Sequence, residues 1–169
     1  MSRVETPEIE DKRLKLELRL AQLSRLEACQ ESFMTFVKAM WPEFIAGHHH
    51  KVIADKLEQV AKGEVKRLIV NMPPRHTKSE FASFLFPAWL IGKNPAMKII
   101  QATHTTELAV NFGRKVKNLL EREEYQEIFD NTRLAADSKA SGRWDTSRGG
   151  MYYAVGVGSN LAGRGGDLI

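Results

Sequence analysis

The spacing of apolar residues changes several times along this chain, and each change predicts an element. Phe33, Phe36, Val37 and Met40 recur at i, i+3, i+4 and i+7, the stripe of a helix with one buried face. Pro42 ends or kinks that helix, because it has no N–H to donate. A second helix is predicted from His48 to Lys62, burying Val52, Ile53, Leu57 and Val60, with Gly63 as its stop. The period then collapses into the short apolar run Arg67-Leu-Ile-Val-Asn71, the pattern of a strand covered on both faces. A turn at Met72 to Thr77 leads into Lys78-Ser79-Glu80 and an aromatic helix that Pro87 kinks or closes.

Met97 to Thr103 predicts a second strand. Thr105 is placed to cap a helix burying Leu108, Phe112, Val116 and Leu119. Strand, loop, helix, strand and helix in this order imply parallel pairing with right-handed crossovers. Beyond Phe129, Leu134–Thr146 and Met151–Val157 read as two strands joined by a hairpin at Ser147 to Gly150, and Asp167 to Ile169 begins another. Ahead of all these, residues 3–28 are rich in Lys, Arg, Glu and Leu. Leu16, Leu20, Leu23 and Glu27 share one helical stripe, with Leu14 and Leu18 beside it. That predicts an amphipathic helix packed on the domain or on a neighbouring subunit. Acidic residues alternate with the basic ones, which argues against a DNA-contacting arm.

Composition narrows the classes. A length of 169 residues fits one domain, or one domain with an appendage. A hydrophobic fraction of 43% is enough to bury a core and argues against a disordered chain. The longest nearly apolar stretch, Phe81 to Gly92, is interrupted by Ser83 and Pro87 and falls short of the roughly 20 residues of a membrane span. The first residues are charged and lack the apolar region of a secretory signal. The single cysteine, Cys29, excludes an internal disulfide and a Cys-rich metal site, so a reducing, cytoplasmic compartment fits best. With 25 Lys+Arg against 21 Asp+Glu the net charge is +4, which permits a polyanionic partner without requiring one.

The candidate chemistry lies in Arg67 to Glu80, RLIVNMPPRHTKSE. A strand opening into a tight loop and a helix headed by Lys-Ser is the layout of a phosphate cradle. Backbone N–H groups at the helix start face the anion and the macrodipole favours it. Lys78 would reach the β- and γ-phosphates, and the Ser79 hydroxyl would sit on Mg²⁺, while Glu80 suits the first helical turn. The strict pattern G-x-x-x-x-G-K-[ST] fails twice, at Met72 and at Thr77. Glycine is used there because the backbone must bend sharply, and positive φ is costly for a β-branched threonine. Pro73 and Pro74 supply no N–H, so donors must come from Arg75 onward. On the lysine and serine alone, a Pro-Pro turn into a capped helix is the competing reading.

Three further features carry alternatives. His48-His49-His50 suggests a metal site, but neighbours on a helix start are not expected to converge on one ion, and a solvated helix terminus competes. Thr103 ends a strand where ligands gather in open sheets, and is either a relay or a plain strand end. Arg164, in a glycine-rich loop, is either an arginine finger for a neighbouring subunit or a turn arginine.

From about Trp41 to Ile169 the chain resembles the large terminase subunits, the DNA-packaging motors of tailed bacteriophages. The resemblance runs through MWPEF and GHHHKVI, KRLIVNMPPRHTKSE, IIQATHT and NLAGRGGDLI. It implies an α/β fold, an additional-strand, RecA-like P-loop NTPase with a largely parallel central sheet and helices on both faces. Residues 1–40 would be a helical N-terminal extension, and residues 41–169 a partial ATPase domain ending before its Walker B strand is complete.

The resemblance further implies that Pro74, Arg75, His76, Thr77, Lys78, Ser79 and Glu80 bind the nucleotide, with His49 and His50 binding or flanking the adenine. Arg75, Lys78 and Arg164 would be catalytic, Ser79 would hold Mg²⁺, and Thr103 would be the coupling candidate. ATP and Mg²⁺ are the expected cofactors. The expected function is ATP hydrolysis that drives double-stranded DNA into a procapsid, in the host cytoplasm and away from any membrane. The expected partners are the small terminase subunit, the portal protein and further copies in a ring on the capsid. The hydrolytic carboxylates and a nuclease domain are expected beyond Ile169, so this stretch alone is expected to be inactive. Alternatives are a helicase-like P-loop ATPase fragment and a non-catalytic assembly module with a degenerate loop.

Overall fold

A computed structural model describes residues 7–138, 140–159 and 163–169. Helix α1 spans Pro7–Glu31 and α2 spans Phe33–Met40, separated by Ser32, whose hydroxyl accepts from the Thr35 N–H. Glu58 completes this cap by accepting from the Phe33 N–H at 2.7 Å. Helix α3, His48–Ala61, closes through Lys62 and Gly63, and Gly63 sits at φ +75°. The predicted stop is in place.

After the loop, one continuous helix runs from Lys78 to Lys93, with a π-helical stretch at Glu80–Leu85 and α4 at Phe86–Lys93. The Phe86 N–H reaches five residues back to the Phe81 carbonyl. This wider turn precedes Pro87, which lacks the N–H a regular helix needs, so the helix runs on past it.

The sheet has three strands in the order β1-β3-β2, where β1 is Lys98–Thr103, β2 is Arg143–Asp145 and β3 is Met151–Gly156. Strands β1 and β3 are parallel, from Lys98↔Met151 to Thr103↔Gly156. Strand β2 returns antiparallel on β3, as the predicted hairpin requires, though only three of its residues form ladder. Helices α5, Thr106–Leu120, and α6, Glu123–Ile128, connect β1 to this hairpin. On the other edge of β1, Leu168 bridges Ile99 in parallel sense, and its carbonyl accepts from the Ile100 N–H at 2.9 Å. Gly113 lets α5 approach closely: a Cβ there would lie 2.6 Å from the Ser141 carbonyl oxygen.

The core is aromatic. The Phe33 ring meets Phe81, Phe86 and Trp89 at centroid distances of 5.6, 5.4 and 5.6 Å, and Phe36 meets Tyr125 and Phe129 at 6.1 and 5.8 Å. These are the tilted and edge-on arrangements that aromatic quadrupoles favour. The Trp89 indole donates to the Cys29 carbonyl at 3.0 Å and ties α4 to the end of α1.

Several expectations differ from the structure. The described residues form a small mixed sheet, with one parallel pair, one antiparallel pair and a parallel bridge at Leu168, in place of an extended, largely parallel one. Arg67 to Asn71 is not a ladder strand: Leu68, Val70 and Met72 pack on the core while Ile69 is 86% exposed, so the segment is covered on one face only. On α3, Val52 faces out because His50, Ile53, Ala54 and Leu57 take the inward stripe. On α5 the buried set is Ala109, Gly113, Val116, Leu119 and Leu120, and Leu108 is exposed. The leucines 14, 16, 18 and 20 of α1 stand in solvent, and that helix joins the core only near Leu26 and Cys29. No described helix is long and apolar enough to cross a membrane.

Candidate functional site

The loop from Met72 to Ser79 bends through two residues in the left-handed region, Arg75 at φ +64° and Thr77 at φ +59°, with His76 between them at negative φ. Such alternation turns successive N–H groups toward one side, the geometry of an anion nest. The helix follows at once. Its first bond runs from the Phe81 N–H to the Thr77 carbonyl at 3.0 Å, so the N–H groups of Lys78, Ser79 and Glu80 precede any intrahelical acceptor. Residues Arg75 to Glu80 line a concavity of about 280 Å³. A larger open hollow of about 470 Å³ lies by Gln30, Lys93 and Asn131, away from the loop, and holds no comparable constellation.

Each side chain of the loop has an identifiable setting. Lys78 lies back across the loop, its Nζ donating to the Met72 carbonyl at 3.3 Å, so the cation is held at the concavity by a single weak bond. Arg75 and Ser79 are exposed, with the Ser79 hydroxyl in the first helical turn. His76 donates from Nδ1 to the Pro74 carbonyl at 2.9 Å, which closes the Pro-Pro turn. The Glu80 carboxylate pairs with Lys115 of α5 at 2.8 Å, and fastens the helix start to the next layer. No local sequence signal links these residues, which are 35 apart.

The loop is also tied to α3. His50 is 7% exposed, and its Nε2 lies 2.7 Å from Thr77 Oγ1 and 3.0 Å from His49 Nε2. Its Nδ1 accepts from the Gly47 N–H at 2.9 Å. Burial, and then the positive charge that His49 and His76 can carry, hold the His50 pKa below the ordinary histidine value. Adjacent histidines were not expected to converge, yet these two ring nitrogens do. Convergence does not make an ion site of them: with Nδ1 accepting, the neutral ring keeps its proton on Nε2, and a ligating nitrogen must be bare. Among the described residues no group of three or more His, Cys, Asp or Glu is arranged to hold a metal.

Comparison with protein-family models, curated proteins and solved structures finds no match. The site therefore rests on its own geometry. The structure brings together Pro74, Arg75, His76, Thr77, Lys78, Ser79, Glu80, His49 and His50. Two predicted residues lie apart from this cluster in their bonding. Thr103 ends β1, where its hydroxyl donates to the Thr105 carbonyl at 2.7 Å and its carbonyl accepts from the Val157 N–H. Arg164 rests its guanidinium 4.3 Å over the Tyr153 ring of β3. Asn160 to Ala162 of the same glycine loop lie outside the described residues.

Proposed function

We propose that this chain binds a magnesium nucleoside triphosphate on the Pro74 to Glu80 loop, as the ATPase part of a viral DNA-packaging motor of the large-terminase type. The observation that carries the binding half is the loop itself: left-handed Arg75 and Thr77 around His76, opening a helix whose first N–H groups have no internal acceptor. The donor set suits a polyphosphate. Backbone N–H groups, the Lys78 ammonium and the Arg75 guanidinium offer hydrogen bonds and positive charge, and none of them competes as an acceptor. Ser79 would hold Mg²⁺, which supplies neutralisation of charge on the β- and γ-oxygens. Lys78 would exchange its weak bond to Met72 for a phosphate oxygen.

The packaging half rests on the resemblance of the Pro-Pro-Arg-His-x-Lys-Ser loop and its flanks to terminases. A finer fold reading goes with it. An extended segment leading into the loop, the parallel β1–β3 pair and the parallel bridge at Leu168 fit a P-loop ATPase of the additional-strand type. In this reading Thr103 couples nucleotide state to DNA, and Arg164 leaves Tyr153 to serve a neighbouring subunit in the ring. Double-stranded DNA, the small subunit and the portal are the partners, in the host cytoplasm.

The test is calorimetric titration of Mg-ATP into the chain and into its Lys78→Ala variant. A lost charge-assisted contact is worth about 1.5–3 kcal/mol, so affinity should fall by roughly 10- to 100-fold while thermal melting stays unchanged. Equal binding by the two folded proteins would refute the site.

A further inference from the structure

We infer that His50 is the positioning residue of the loop: it grips Thr77 from outside and holds the left-handed backbone that glycine supplies in the strict phosphate-loop pattern. The inference deepens the nucleotide-site reading, and rests on that reading only for its effect on affinity. The polarity of the contacts follows from elementary chemistry. A backbone N–H can only donate, so the 2.9 Å contact from Gly47 makes His50 Nδ1 an acceptor and leaves the ring proton on Nε2. Nε2 then donates to Thr77 Oγ1 at 2.7 Å, and shares that proton with the bare Nε2 of His49 at 3.0 Å. The Thr77 hydroxyl, having accepted, directs its own proton to the His76 carbonyl at 2.7 Å. Gly47, His50, Thr77 and His76 thus form one directed chain in which every partner has a single possible role.

The grip is rigid because the ring is. Phe44 packs edge-on against it at 4.7 Å and Phe81 stacks on it at 5.4 Å, so His50 cannot swing away without opening the top of the core. A β-branched residue at φ +59° is disfavoured, and it persists only where its surroundings over-determine it. His50 provides that determination. It reaches the loop through a hydroxyl that glycine does not have, which explains how a threonine can stand at this bend.

The consequence is a specific non-additivity. With Thr77→Gly the backbone adopts the bend unaided, and His50 keeps its bonds to Gly47 and His49 but no longer holds the loop. Affinity for Mg-ADP and the urea unfolding equilibrium are to be measured for the parent, His50→Phe, Thr77→Gly and the double variant. Phenylalanine keeps a ring between Phe44 and Phe81 and removes only the nitrogens. His50→Phe should weaken binding by roughly tenfold in the parent and by less than about twofold in the Thr77→Gly background; because it frees the Gly47 N–H in both, the unfolding constant is read as a difference, its rise being roughly tenfold larger in the parent than in that background. His50→Gln, which keeps a donor near the position of Nε2, should recover part of the loss.

Equal losses in both backgrounds would overturn the inference, since His50 would then act on the nucleotide directly or on the fold at large. If no form binds nucleotide, the site reading fails, and the unfolding cycle still decides the coupling between His50 and Thr77. Nitrogen NMR of the parent imidazoles reads the same chain without any substitution. His50 protonated on Nε2 agrees with the inference, and His50 protonated on Nδ1 overturns it.

Discussion

Phe81 belongs to two regions that are held together by different physics. On one side it meets Phe33 in an aromatic core, and on the other it stacks on His50, which fixes the loop. The core is defined by shape: rings from α2, α4 and α6 interlock, and their few polar atoms are paired in passing. The loop has almost no shape to define it. Its preceding segment has no ladder partner among the described residues, two of its residues are left-handed, and its course is set by hydrogen bonds from a handful of side chains. If the loop is the proposed nucleotide site, stability and binding should be separable, with substitutions in the core acting on folding and substitutions in the loop acting on ligand.

The sharpest way to break that separation is Phe33→Ala. The ring is fully buried and touches three others, so truncation should cost about 3–5 kcal/mol in urea denaturation. The folded fraction should still bind Mg-ATP as the parent does. An affinity loss as large as that of Lys78→Ala would mean that core and loop are one unit.

A second effect comes from the residue between the regions. The His50 pKa is depressed by burial first, and then by His49 and His76. Below about pH 6.5 the unfolded chain takes up a proton that the native ring refuses. Stability contributed by the neutral ring is complete above that pH and is lost as pH falls toward the depressed native value. The slope cannot exceed about 1.4 kcal/mol per pH unit for one proton. Chemical denaturation at several pH values should show this slope in the parent and a flatter one in His50→Phe.

The smallest effects compare two buried tyrosines. The Tyr125 hydroxyl donates to the Ala88 carbonyl at 2.8 Å, whereas the Tyr152 hydroxyl has no partner among the described residues although its ring stacks on Trp144 at 4.9 Å. Tyr125→Phe should cost about 1 kcal/mol, and Tyr152→Phe should be neutral or stabilising by about the same amount. Equal losses would show that Tyr152 has a partner in solution.

The same contrast governs what the sequence revealed. The core was legible where periodicity is set by burial: Phe33, Phe36, Val37 and Met40 face inward as their spacing requires. The Thr105 cap and the Ser147 to Gly150 turn were legible because short polar signals act locally. Arg67 to Asn71 misled, since a run of Leu-Ile-Val signals a strand whether or not a neighbour stands beside it. Val52 misled because histidine reads as polar, and the inward place on α3 goes to His50, whose two nitrogens find partners inside the fold. At the loop, Met72 and Thr77 marked the departures from pattern. The means of holding Thr77 comes from a residue 27 positions earlier, beyond the reach of any local rule.

The measurement that bears most directly on the account is an amide chemical-shift map during titration with Mg-ADP. Saturable shifts should concentrate in Arg75 to Glu80 and at His50, with the hairpin from Arg143 to Gly156 unmoved. Shifts confined to the hollow by Gln30 and Asn131, or no saturable shift anywhere, would contradict the claim that this loop is a nucleotide site.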